Sequence, residues 1–173
     1  MSPQQALEEI ARQSELDPHA MNDPDVARLI INENKVLAEN TVPGLEVDVK
    51  ELEHGVDVRM VLAPDTVIQK PVHLCFGVIP EKGIQHIIMN VHIGARSRIR
   101  LNAHCTFPFA TDVQHIMDAE IHLEEGADYT YFERHVHSES GGIPVVPKAI
   151  VHGGPRASHK AEEEHIGGRG NKR

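Results

Sequence analysis

Gly94-Ala95-Arg96-Ser97-Arg98-Ile99-Arg100-Leu101-Asn102-Ala103-His104-Cys105 and Gly126-Ala127-Asp128-Tyr129-Thr130-Tyr131-Phe132-Glu133-Arg134-His135-Val136-His137 are the two stretches whose reading decides the fold. Both open on Gly-Ala and continue with the alternation of a β-strand, in which every second side chain shares a face. In the first, Ile99, Leu101, Ala103 and Cys105 make an apolar stripe ending in a thiol. In the second, the matching face carries Tyr129, Tyr131, Glu133, His135 and His137. A buried polar row costs free energy unless it is hydrogen-bonded or coordinates something, so this mismatch is the main functional clue.

Period-two runs extend on both sides of this pair. Leu45–Val49, Val56–Leu62, Val72–Ile79, Gln85–Ile93, His115–Leu123 and Ile143–Val151 alternate. Turn signals separate them, among them Glu53-His54-Gly55, Pro80-Glu81-Lys82-Gly83, Pro108-Phe109, Glu124-Glu125-Gly126 and Ser140-Gly141-Gly142. No convincing helix interrupts the series, which excludes a doubly wound α/β fold and leaves a sandwich, a barrel or a solenoid. Gly94-Ala95 and Gly126-Ala127 are read as equivalent turns, with Gly153-Gly154-Pro155 as a third. Cys75, Cys105 and His135 recur at intervals of 30. This repetition favours a parallel β-helix over a cupin-like or jelly-roll barrel.

The first ~40 residues read as helical. Ser2-Pro3-Gln4-Gln5 is a capping-box pattern with proline at the first helical position, and Asp23-Pro24 opens a second helix through Val26, Leu29, Ile30, Glu33 and Leu37. Val151 to Arg173 loses the alternation and reads as a polar, flexible tail. The expected organisation is a helical segment over 1–41, a β-helix over 42–151 and a tail over 152–173. With little to cover the last coil, self-association is expected.

A net charge of −9 with only 3% aromatic residues argues against nucleic-acid or anionic-membrane binding as the role. No apolar run has the length of a transmembrane helix, and the N-terminus lacks signal-peptide features. Two cysteines without a secretory signal point to reduced thiols in a cytoplasm. CxxC, HExxH, P-loop, GxGxxG and GxSxG motifs are all absent, which argues against a conventional hydrolase or nucleotide-binding protein.

Glu133, His135 and His137 offer a carboxylate and two imidazoles on one strand face, a donor set suited to zinc or iron. Cys105 from the neighbouring coil completes the candidate site, and His115, near the Pro108 loop, is a further candidate ligand. The alternative is that the row faces solvent while Phe132 and Val136 pack inward. Register decides between these. With a period of 30, Cys75 stacks on Cys105 as a column of thiols; with 32, Cys105 stacks on His137. His104 lies on the face opposite Cys105, and His86 and His92 face solvent.

Cys75-Phe76-Gly77-Val78, Gly83-Ile84-Gln85, Ala103-His104-Cys105-Thr106-Phe107-Pro108, His115-Ile116-Met117-Asp118-Ala119, Tyr131-Phe132-Glu133-Arg134-His135-Val136-His137 and Gly141-Gly142-Ile143-Pro144-Val145-Val146-Pro147-Lys148-Ala149 together resemble the SufB/SufD family, over roughly Ile30 to Val151. The resemblance implies a right-handed parallel β-helix with a helical N-terminal extension. It also implies a non-enzymatic scaffold role in iron–sulfur cluster assembly beside a SufC-like ABC-type ATPase, with pairing into dimers and an iron–sulfur cluster or iron as the bound group. Family members continue for more coils and end in a segment that docks the ATPase; that segment is expected to be missing here. Two competing expectations are a cupin-like metalloenzyme using His135, His137, Glu133 and His115, and a metal-free solenoid that acts as an interaction module.

Overall fold

The computed structural model describes residues 1–137 and 144–166. The capping box forms as the sequence predicts. Ser2 Oγ accepts the Gln5 amide at 3.1 Å, Gln5 Oε1 accepts the Ser2 amide at 2.8 Å, and helix α1 runs over Pro3–Gln13. A single turn, α2 (Pro18–Asn22), follows.

Strands then dominate. They are β1 (Arg28–Asn32), β2 (Lys35–Asn40), β3 (Leu45–Leu52), β4 (Gly55–Leu62), β5 (Val72–Gly77), β6 (Lys82–Ile93), β7 (Arg98–Phe107), β8 (Asp112–Leu123), β9 (Asp128–His137), β10 (Val145–Gly153) and β11 (Ser158–Ile166). One sheet has the order β11-β9-β7-β5-β1-β2 and the other β10-β8-β6-β4-β3. From β4 onward the chain alternates between the sheets, so that β4–β5, β6–β7, β8–β9 and β10–β11 each make one coil of a solenoid. Pairing between coils is parallel throughout. Among the described residues, only the starting hairpins, β1–β2 and β3–β4, are antiparallel. The strands therefore stack as a β-solenoid and do not close into a cupin-like barrel.

Alternation builds the core. Val56, Val58, Met60 and Leu62 of β4, Ile87, Met89, Val91 and Ile93 of β6, and Ile99, Leu101, Ala103, Cys105 and Phe107 of β7 all point between the sheets and are buried. A smaller apolar cluster lies outside the first sheet, where Ala6 and Ile10 of α1 cover Ile30, Cys75 and Ile79. Arg134 of β9 ties α1 down from a later coil through Glu15, at 2.6 Å.

The corner between the sheets repeats once per coil. Asp65, Arg96, Gly126 and Arg156 occupy it with φ of 56°, 58°, 67° and 59°, the left-handed region that only glycine enters without cost. Side-chain pairing compensates the others: Arg96 Nε donates to Asp65 Oδ1 at 2.6 Å, and Arg156 pairs with Glu125. Two residues before the corner, a Cβ on Gly94 would lie 2.5 Å from Pro64 N and 2.7 Å from Ala63 C of the preceding coil. Backbone on both sides cannot yield cheaply. Gly94→Ala is expected to cost about 1–3 kcal/mol, in the range of core overpacking. Urea unfolding checks this, and a loss under about 0.5 kcal/mol, the scale of a neutral surface change, contradicts it.

Three sequence expectations are corrected. The second helix, expected from Asp23-Pro24 through Leu37, is the β1–β2 hairpin. Leu29 and Ile31 enter the main core while Ile30 packs beneath α1, so burial on both faces overrides the helical spacing. Glu33, the polar exception in that spacing, is the tight turn itself, with φ of 55°. The thiol column does not form. Cys75 pairs with His104, and Phe76 with Cys105, an odd offset that turns Cys75 outward beneath α1. Ser158–Ile166, expected to lie in the polar tail, pairs with β9 as β11. The Ser140-Gly141-Gly142 turn, Ile143 and the tail from Gly167 to Arg173 lie outside the described residues.

Candidate metal centre

Strand register brings the donors together. Cys105 of β7 lies directly opposite His135 of β9, which lies opposite His165 of β11. One pair along the same face, Ala103 is opposite Glu133, and Glu133 opposite Glu163. The polar row therefore points inward. Cys105 and His135 are fully buried, and Glu133 and His137 are 4% and 6% exposed. From the facing sheet, β8 contributes His115, which is 1% exposed. Cys105 Sγ and ring nitrogens of His115 and His135 all lie within 4.8 Å of one another. His135, His137 and His165 form a second such group, and Glu133, His135 and Glu163 a third. His135 is common to all three.

The His115 tautomer follows from its neighbours. Gln85 Nε2 donates to the carbonyls of Glu33 and Gly77, both at 3.0 Å, so its Oε1 must be the acceptor facing His115 Nδ1 at 2.9 Å. The proton sits on Nδ1, and Nε2 carries a lone pair with no protein partner. Fixing the far nitrogen in this way is how ligating histidines are oriented. Both ring nitrogens of His135 and Nδ1 of His137 are also buried without a hydrogen bond. His135 Nε2 lies 3.0 Å from Glu133 Oε2 but out of hydrogen-bonding line. Glu133 Oε1 accepts the Tyr131 hydroxyl at 2.6 Å, and His137 Nε2 is 3.3 Å from His165 Nδ1. Phe107 packs against His115, His135 and His137 with ring centroids 5.1, 6.4 and 6.0 Å away, walling the group off from water.

Burial sets the protonation states. It holds His115 down to about 3 and His137 to about 4, with repulsion from His135 adding to both, so each is neutral near pH 7 with a free lone pair. Burial, then the Glu133 charge, raises the Cys105 thiol well above its usual value. At Glu133 burial opposes ionisation, but the His135 imidazole 3.0 Å away, donation from Tyr131 and the His115 field together lower its pKa. Each unpartnered buried polar atom costs about 1–3 kcal/mol. A cation satisfies several at once, and imidazole, thiolate and carboxylate suit iron or zinc. The residues present therefore fit a metal ion. A mainly apolar cavity of about 220 Å³, lined by Met89, Met117, Tyr129, Tyr131, Glu133 and Glu163 among others, borders the carboxylate side.

These shifts predict acid sensitivity in the metal-free protein. A histidine held near 3 when folded and near 6.5 when unfolded takes up its proton first in the unfolded chain. Stability is therefore present above about pH 6.5 and falls as pH drops toward 3, by up to about 1.4 kcal/mol per pH unit for each such imidazole. Urea midpoints measured between pH 7 and 4 check this. His115→Leu should flatten the dependence; an unchanged slope contradicts it.

Of the residues the sequence singled out, Cys105, His115 and His135 converge on one point, while Glu133 and His137 join through His135. Sequence reading missed Gln85, Glu163 and His165. Each lies 30 residues from a residue that was singled out and directly opposite it in the register. The interval that linked Cys105 to His135 continues to His165.

A solenoid carrying a buried Cys/His/Glu cluster on its inner face defines the class as a β-helical protein with a candidate metal site. Two curated relatives are similar in sequence. An iron–sulfur cluster assembly SufBD family protein of Pyrococcus horikoshii is 32% identical over 147 residues, 85% of this chain and 44% of that protein. One of the same description from Methanocaldococcus jannaschii is 28% identical over 124 residues, 72% of this chain and 39% of that protein. The chain spans less than half the length of these relatives. No protein-family profile matches, and no solved structure matches. Together with the solenoid, these relatives show that the chain belongs to the SufB/SufD family. Among the described residues no helix is long and apolar enough to cross a membrane.

Proposed function

We propose that this chain takes part in iron–sulfur cluster assembly by holding iron, or a nascent cluster as cargo, at Cys105, His115 and His135, with Glu133 and His137 beside them. The observation that carries this reading is the set of buried imidazole nitrogens without partners around a buried thiol. The names of the two relatives support the process. In this reading the protein is a scaffold or accessory component and not a catalyst. Its imidazoles and its thiol receive the metal without bond-making on a substrate. A SufC-like ABC-type ATPase as partner, pairing with a second copy and a cytoplasmic location belong to the same proposal and rest on the family.

Anaerobic reconstitution with iron and sulfide tests it. Wild-type protein should retain iron after desalting, while Cys105→Ser and the His135→Ala/His137→Ala double variant should lose most of it with their circular dichroism unchanged. Equal iron in all three overturns the assignment.

A further inference from the structure

The outer face of the second sheet carries a separate donor set. His92 of β6, His122 of β8 and His152 of β10 lie directly opposite one another on successive coils. The His122 and His152 rings stack at 4.6 Å with planes 10° apart. Glu120, two residues before His122 and on the same face, places Oε1 3.1 Å from Nε2 of both. The three donor atoms lie within 4.8 Å of one another on the open outer face, and Glu120 Oε1 joins the two Nε2 atoms by hydrogen bonds. All three side chains are about half exposed, at 47%, 47% and 51% for Glu120, His122 and His152.

We infer that Glu120, His122 and His152 form a surface docking site for a hydrated divalent first-row metal ion, independent of the buried centre. Two imidazoles and one carboxylate with open positions are the donor set of non-haem ferrous sites. The choice of iron rests on the proposed function; the site itself does not. Three donors leave room for water or a ligand from a delivering molecule, so the ion held here is exchangeable. The buried centre contains a thiol and is walled by Phe107, so its ion is retained. One rung away, His92 lies 6.4 Å from His122 and faces Glu124 at 3.4 Å, extending the donor row along the coils.

The test is anaerobic equilibrium dialysis of the full chain with ferrous iron, followed by a brief challenge with a strong chelator. Wild type should hold a chelator-labile ion and a retained one. His122→Ala/His152→Ala should lose the labile ion and keep the retained one, and Glu120→Gln should weaken the labile ion at least about tenfold, as loss of an anionic ligand requires. Cys105→Ser should show the reverse pattern, so failure of the buried centre and failure of this site are told apart. A labile ion unchanged in the double variant overturns the inference. Cobalt(II) titration of the unmutated protein, followed by imidazole proton resonances, gives a second reading. Broadening of the His122 and His152 signals supports the site, and sharp signals at saturating cobalt overturn it.

Discussion

Cys105→Ser is expected to lower affinity for a zinc or iron probe at the buried centre at least about 100-fold, beyond the roughly 10–100-fold typical of losing an outer-shell partner. It should also change how affinity depends on pH. Burial and the Glu133 charge keep the thiol protonated through the neutral range, so metal entry must expel that proton. His115, held at about 3, is already neutral there and releases none. Affinity of the wild type should therefore rise about tenfold per pH unit on account of the thiol alone. A serine hydroxyl keeps its proton, so the variant's slope should be smaller by about one proton. Chelator competition at pH 6, 7 and 8 measures both quantities. Equal slopes in the two proteins remove Cys105 from the ligand set.

Gln85→Leu is expected to weaken the same site by about 10–100-fold without removing any ligand. Gln85 fixes the His115 tautomer because its amide nitrogen is committed to two backbone carbonyls. Leucine of similar size removes that commitment and leaves His115 Nδ1–H and the Glu33 carbonyl short of a partner, while the Gly77 carbonyl keeps the Glu33 amide at 2.8 Å, so stability should also fall, by about 1–3 kcal/mol per orphaned group. The two effects separate in Gln85→Glu, whose carboxylate still accepts from Nδ1–H but cannot donate to the carbonyls. Binding should recover in that variant more than stability does. Loss of stability with unaltered affinity in Gln85→Leu would reduce Gln85 to a structural residue.

Much of this was legible in the chain. Period-two alternation from Leu45 onward placed the inward faces, and the 30-residue interval gave the coil. The overlay of Gly94 on Gly126 was two residues out: the register pairs Arg98 with Asp128, an offset of 30, so Arg96 and Gly126 share the corner. The slip was even, so facing survived, and Cys105 and the Glu133–His137 row were still assigned to one side. At Cys75 the offset is odd, and there the same reasoning failed. Counted from β5 to β7 the coil is 29 residues, one shorter than the 30 from β7 to β9, and local sequence does not encode that difference. The β1–β2 hairpin was illegible for a different reason. Leu29, Ile30 and Ile31 are all buried, and a strand covered on both faces has no alternation to read. Gln85, Glu163 and His165 matter only through residues a full coil away, so their roles appear once the register is known.

In the proposed function, sulfur and imidazole from different coils bind one ion inside the solenoid. X-ray absorption at the zinc edge tests it most directly, on protein loaded with zinc and stripped of labile ions by a brief chelator wash. The expected spectrum has a sulfur scatterer at about 2.3 Å together with imidazole nitrogens at about 2.0–2.1 Å, with the sulfur shell absent from Cys105→Ser. A spectrum with nitrogen and oxygen neighbours only, the same in wild type and Cys105→Ser, would contradict it.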